Sequence, residues 1–277
     1  VQFVPTQVNI GIFNIARTKV CREAVAKWME FIGADEFVIP EDGAISDPAL
    51  LVALAGKRCY MAFQKSLNPN LTRVRSDYVD YFDNILSSGH GSVLEHAVYT
   101  FAIENVSRVF TAEMNRHRAG WAISEGSLRF IRFGQNIPYW LPTSFTVQPG
   151  DSDDIMRRKM ASQQEMHLAF MEQEARYRRL EEIWDINNPE KKFKEKKIVT
   201  SALRRIVGLG VATGGVWSGN LRAIRHVLTM RCEEAAEEEM IHVFSRIVGM
   251  MRDMEPEIFG DFHQDDNGFW RPGYRKV

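Results

Sequence analysis

Residues 151–186 read as one helical stretch, with charges of both signs on a solvated face and Pro189 in "NNPEKKFKEKK" punctuating its end. A run of that length makes helix the dominant element, and much of the chain agrees. "KVCREAVAKWMEFIGA" is helical, with Gly33 near its end. "SDPALLVALAGKRCYMAF" offers Ser46 or Asp47 as N-cap and Pro48 in the first turn. "RSDYVDYFDNILSSGHGS" predicts another helix, closed by Ser-Ser-Gly. A helix is expected from Ser107 to Arg118, stopping at Gly120, and a last helical block from about Lys197 to Glu255. Extended structure is expected in "QVNIGIF" and at Val98–Phe101, with loop and short strands in "IRFGQNIPYWLPTSFTV". No internal repeat or low-complexity linker divides the chain. The expected fold is α/β (α+β), a helix-rich single domain over residues 1–277 with a modest mixed sheet.

Charge and cysteine content narrow the function. The 277 residues carry 35 Lys plus Arg and 36 Asp plus Glu, a net charge of −1. A binder of nucleic-acid backbone normally carries a basic excess, so a phosphate held by this chain is expected at a local site, with nucleic acid not a partner. Cys21, Cys59 and Cys232 form no CxxC pair, which argues against a disulfide framework or structural zinc and for a reducing cytoplasm. No uninterrupted apolar run is long enough to span a bilayer, the N-terminal stretch lacks the order of a signal peptide, and no membrane partner is expected.

Three stretches carry chemistry. In "NRHRAGWAISEGSLRF", Arg116, His117 and Arg118 fall at the expected end of a helix, where cations complement the dipole and Gly120 gives a stop. That explanation leaves out Ser124, Glu125, Ser127 and Arg129, a set of donors and charges around Gly126 that suits a phosphate. In "GHGSVLEHA", Glu95 and His96 can pair, and His90 sits in a Gly-flanked turn; the spacing is not one of zinc, so no metal is expected. In "SGNLRAIRHVLTMRCEEA", stepping about 100° per residue puts Leu221, Ile224, Leu228 and Arg231 on one face, with Arg222 and His226 opposite. A cation in an apolar stripe requires a partner, either a carboxylate such as Glu234 or a ligand. The acidic run Glu233–Glu239 reads as a helix face in water.

Together and in this order, the three stretches resemble the flavin-dependent thymidylate synthases. That family's signature runs R-H-R, two residues, S-x-N-E-x-S-x-R-Y; "GHGSVLEHAVYTF" is similar to its G-H-x-[ST]-x-x-E-H segment, "NLRAIRHVLTMR" to its N-x-R…R helix, and "AGKRCY" to its A-R-[SC]-[YF] segment. The match runs from Ala55 to about Met240, the motif-bearing core 55–240. There are departures. One extra residue lies between Arg118 and Glu125, and Trp121 falls at or beside the first Ser. Ser124 replaces Asn, Phe130 replaces Tyr, Glu113 replaces Gln, and Ala112 replaces Arg.

The resemblance implies a homotetramer with sites shared between subunits. It would methylate uracil C5 of a uridine monophosphate, dUMP to dTMP, with 5,10-methylenetetrahydrofolate giving the carbon and NADPH reducing FAD. By position, Ser92, Arg116, His117, Arg118, Glu125, Asn220, Arg222 and His226 would contact FAD. Ser127, Arg129 and Arg205 would hold the nucleotide phosphate, with Glu113, Arg116, Glu125, Gly126 and Leu128 in the same substrate set; Arg204 competes with Arg205, because this region is one residue short of the family spacing. Arg231 would face the uracil, His90 would lie by flavin and folate, and these two with Ser127 form the implied catalytic set. The chemistry is consistent: a guanidinium against N3 and the carbonyl oxygens stabilises an electron-rich ring. The other thymidylate synthase route needs a Cys in a Pro-Cys-His context, which "VCREA", "RCYMA" and "RCEEA" do not supply. Three other readings remain: the same chemistry on UMP, as in modified-nucleoside (antibiotic) biosynthesis; a nucleic-acid-binding module; and a helical scaffold that has lost its site.

Overall fold

The computed structural model describes residues 6–133 and 136–277. In chain order the elements are β1 (Thr6–Gln7), β2 (Gly11–Arg17), α1 (Arg22–Phe31), α2 (Asp47–Tyr60), α3 (Tyr78–Ser87), β3 (Val98–Ser107), α4 (Arg108–Met114), β4 (Trp121–Glu125), β5 (Pro138–Tyr139), α5 (Asp153–Ile183), α6 (Phe193–Leu203), β6 (Ala212–Asn220), α7 (Leu221–Arg231), α8 (Glu238–Met254), α9 (Pro256–Phe259), β7 (Phe262–Gln264) and β8 (Trp270–Pro272). The class is mixed α/β and helix-rich, as expected. The main sheet has the strand order β2-β3-β6-β4, β1 pairs with β5 in parallel, and β7 pairs with β8 antiparallel.

Local chemistry sets most helix starts. Ser46 Oγ accepts from Ala49 N at 3.0 Å and begins α2, whose last turn carries Lys57 and Arg58 against the helix dipole. Ser107 accepts from Val109 N and Phe110 N and begins α4, and Asn220 accepts from Ala223 N at 2.8 Å and begins α7. The expected helix 151–186 is α5, with Ser152 as cap and Asp153 and Asp154 in its first turn.

Two expectations are corrected. The helix after Ser107 ends at Met114, so Arg116, His117 and Arg118 lie beyond it; Gly120, at φ +75°, leads into β4. The supposed helical block Lys197–Glu255 contains strand β6, entered through the glycine-rich "VGLGVATGGVW". A Cβ at Gly214 would lie 1.8 Å from Glu104 Oε2 on β3, so only glycine permits that approach.

The chain forms two compact units. The first comprises Val1–Phe13, Ala102–Arg116 and Ile123–Val216. Its core gathers Ile137, Tyr139, Phe170, Tyr177, Ile186, Leu203 and Val211, with the Tyr139 and Phe170 rings stacked at 4.6 Å. Buried Glu174 is satisfied by Ile137 N at 3.1 Å and Arg178 at 3.0 Å.

The second unit comprises Asn14–Phe101, His117–Ala122 and Trp217–Val277. Here Leu221, Ile224, Val227 and Leu228 of α7 are buried, as are Val243, Phe244, Ile247 and Val248 of the neighbouring α8. Each such side chain contributes roughly 1.5–3 kcal/mol on burial. The buried cation of α7 is Arg225, 2% exposed, which pairs with both carboxylate oxygens of Asp261 and donates to the Ile258 carbonyl at 2.6 Å. Fully buried Glu255 accepts from Ser46 Oγ at 2.6 Å and from the Tyr99 hydroxyl. Burial raises the Glu255 pKa, against the lowering by these two donors.

Candidate active site

In the first unit, four of the residues expected to hold nucleotide, Glu125, Gly126, Ser127 and Leu128, meet at one cleft of about 450 Å³ between α4, the end of β4 and the segment after α6. Arg108 opens α4, and its guanidinium reaches the Glu125 carboxylate and the Gly126 carbonyl oxygen. Asn115 Nδ2 donates to the other Glu125 oxygen at 3.0 Å. Glu125 is thereby fixed from two sides. Gly126 N donates to the Gly214 carbonyl at 2.9 Å, and a Cβ there would sit 3.0 Å from Thr213 Oγ1. Ser127 and Leu128 complete that wall, and the Ser127 carbonyl accepts from Phe130 N and Ile131 N at 3.0 Å each.

Arg204 lines this cleft; it is exposed, and its side chain has no partner among the described residues. Arg205 is also exposed, donates to the Ser201 carbonyl at 3.0 Å and is not in the cleft wall. Arg129 is exposed too, 5.9 Å from the Phe130 ring, and Glu113 pairs loosely with Arg116 at 3.5 Å. The cleft thus brings together Glu125, Gly126, Ser127 and Leu128. Arg205, Arg129, Arg116 and Glu113 are not among its lining residues.

Sequence reasoning missed Arg108. It carried a signal: a cation at the first position of a helix opposes the dipole, so a side chain retained there calls for an anionic partner. With Arg108 and Arg204 against the single carboxylate of Glu125, the cleft has one positive charge in excess, suited to a phosphate.

In the second unit, Arg231 Nε donates to His117 Nε2 at 2.8 Å, and Arg231 is half-buried. A polar ring is therefore one of its partners, and Glu234 is exposed. The His117 and His226 rings meet edge-on at 6.3 Å. Arg222 and His226 are exposed on the far side of α7, as the helical spacing predicts. Arg222 pairs with Glu95 at 2.6 Å, so the expected Glu95–His96 pair does not form. Asn220, the cap of α7, donates its N–H to the Gly120 carbonyl at 3.1 Å, and a Cβ at Gly120 would meet Asn220 Nδ2 at 2.7 Å. Ser92 and Arg118 are exposed, their side chains without partners among the described residues. His90 packs edge-on against Tyr60, ring centroids 5.7 Å apart.

The comparisons with known proteins bear on these motifs together. A family model described as "Thymidylate synthase complementing protein" matches residues 43–257. The flavin-dependent thymidylate synthase of Mycobacteroides abscessus is 30% identical over 251 residues, covering 87% of this chain and 91% of the relative. This chain belongs to the flavin-dependent thymidylate synthase family. A second member, from Corynebacterium glutamicum, is 31% identical over 244 residues, again covering 87% and 91%. Two solved structures share the fold: the UMP/dUMP methylase PolB of Streptomyces cacaoi bound with 5-Br UMP, at 15% identity and TM-score 0.60, and the same protein bound with 5-Br dUMP, at 17% and 0.59. Each covers 93% of this chain, which spans 95% and 96% of those chains.

Within the flavin-dependent thymidylate synthase family this chain's departures have local structural roles. Trp121 begins β4, and its ring fills the space a Cβ at Gly219 would need, 2.8 Å away. Phe130, in place of the family Tyr, stacks on Phe193 at 6.4 Å, with Lys197 Nζ 4.7 Å from its ring.

Proposed function

We propose that this chain methylates uracil C5 of a uridine 5′-monophosphate, dUMP to dTMP, using 5,10-methylenetetrahydrofolate as carbon donor, FAD, and NADPH as reductant. The assembly is a cytoplasmic homotetramer with sites shared between subunits. The observation that carries the reading is the cleft that Arg108, Ser127 and Arg204 line together with the fixed carboxylate of Glu125. Two cations, a hydroxyl and the glycine at Gly126 suit a 5′-phosphate, with Arg204 as the readiest cation. The carboxylate beside them orients donors on the nucleotide.

The second unit supplies a donor set that fits a dinucleotide flavin. Ser92, Arg118, Arg222 and His226 are exposed hydrogen-bonding groups, and the side chains of Ser92 and Arg118 have no partner among the described residues. Arg118 and Arg222 are cations suited to its pyrophosphate. The flavin, when bound, supplies the hydride that completes the methyl group. Arg231 has a separate task. The bond from its Nε to His117 sets the plane of the guanidinium, and a planar cation held half-buried stabilises negative charge on the uracil N3 and carbonyl oxygens.

The purified protein is expected to be yellow, to release FAD on denaturation, and to convert dUMP in the presence of methylenetetrahydrofolate and NADPH. Running dUMP and UMP in parallel identifies the natural sugar, because a site that hydrogen-bonds a hydroxyl discriminates sharply. Colourless protein that fails to take up added FAD overturns the reading.

A further inference from the structure

A second cleft, of about 290 Å³, lies in the second unit between α2, the segment before α3, and α3 itself. Its chemistry is divided. Tyr60 and His90 line the cleft with their rings in edge contact, 72° apart. Lys57, Arg73 and Arg75 line it as well, and among the described residues no Asp or Glu does.

Lys57 is only 4% exposed. Among the described residues its ammonium meets one hydrogen-bond acceptor, the Arg75 carbonyl at 2.6 Å, and the Tyr81 ring at 5.0 Å, but no carboxylate. Burial, and then the Arg75 charge, lower its pKa. A buried ammonium without a counter-charge is costly, and a fold rarely retains one without use. Arg73 and Arg75 share the single carboxylate of Asp80, at 2.7 and 3.3 Å. The three cations therefore exceed the nearby negative charge by two, counting Asp80 as the one anion. The surplus runs from buried Lys57 out to Arg73, which is 63% exposed.

We infer that this cleft binds the carboxylate-bearing tail of the ring-containing carbon donor, with Lys57 and Arg75 holding the inner carboxylate and Arg73 the outer ones. The inference rests on the function proposed above for the identity of the donor. The cleft is too small for a whole pteridine–benzoyl–glutamate molecule and suits one part of it. Carboxylates of a glutamyl tail match two Arg forks and an ammonium lining one cleft. The phosphate of a pyridine dinucleotide has the same anionic chemistry, so the test must separate the two.

The test uses the full, flavin-loaded chain and two unreactive probes, folic acid with one and with three glutamates, titrated by calorimetry. The triglutamate should bind about tenfold or more tightly than the monoglutamate, the ratio expected for roughly 1.4 kcal/mol of added contact. Arg73→Gln, an exposed change with little risk to folding, should bring that ratio near one and leave NADPH and nucleotide binding unchanged. Lys57→Met should weaken both probes. A parent ratio of one with nucleotide turnover intact overturns this inference alone. So does an Arg73→Gln protein that keeps the parent ratio, or one that loses NADPH affinity instead, which would give the cleft to the dinucleotide. Absence of nucleotide turnover in flavin-loaded protein overturns the proposed function beneath it.

Discussion

Replacing Arg108 with Met should damage both the fold and the proposed nucleotide site. The Arg108 and Glu125 side chains are 19% and 18% exposed, so their pair lies mostly out of water. Removing one partner of a fully buried pair costs about 3–5 kcal/mol, because the other charge is left uncompensated. With close to a fifth of each side chain still wet, and with Asn115 still donating to Glu125 at 3.0 Å, the lower half of that range or less applies. Roughly 2 kcal/mol of stability is therefore expected to go. Met keeps much of the side-chain volume, so the loss reports charge and hydrogen bonding rather than a cavity. The Gly126 carbonyl loses its donor at the same time, which loosens the wall that carries Ser127. Nucleotide affinity should fall by about 2–3 kcal/mol, or 30- to 150-fold, as a phosphate contact and its supporting wall are lost together. Urea unfolding followed by circular dichroism gives the first number, and calorimetric titration with dUMP gives the second. A variant as stable as the parent would show that the pair is not worth its burial. Unchanged dUMP affinity would remove Arg108 from the site.

Three further outcomes follow from other contacts. Arg204→Met should weaken dUMP binding about tenfold without lowering stability, because its side chain lines the cleft without a partner among the described residues, while Arg205→Met should do neither; the reverse result gives the phosphate to Arg205. Arg231→Lys should lose about 10²–10³ in rate, since a point donor cannot present a planar fork, with flavin content kept; solvent-deuterium exchange at uracil C5 as fast as in the parent would make Arg231 purely structural. Glu255→Gln should alter the pH profile of stability. Its folded pKa is raised above the usual 4.5, so the stability it contributes is fully present below that value and is lost as pH rises through the raised one. Relative to Glu255→Gln, the parent should therefore weaken with rising pH across that window, and parallel profiles would refute the assignment.

What could be read from the sequence was mostly what is local. Ser46 with Pro48 and Ser152 with two aspartates announce α2 and α5, because a cap acts within three residues. Strand β6 stayed hidden because its identity depends on neighbours: Gly214 is set by Glu104 on another strand, and Gly219 by the Trp121 ring. The Arg-His-Arg triplet, Glu125 and Ser127 were visible as a motif. Arg108 was not, since a cation in the first turn of a helix calls for an anionic partner without naming it, and Glu125 lies 17 residues on. Arg225 was passed over for Arg231 for the same reason; its carboxylate, Asp261, comes 36 residues later.

The hydrogen bond from Arg231 to His117 also alters the charge count at the Arg-His-Arg motif. His117 Nε2 accepts, so the ring must carry its single proton on Nδ1 and be neutral while that bond stands. The Arg116-His117-Arg118 triplet then presents two positive charges separated by a dipole, not a continuous patch of three. A third charge could appear only by protonating the nitrogen that holds Arg231, so extra attraction for an anion at the triplet would be gained by releasing the guanidinium proposed to face the base.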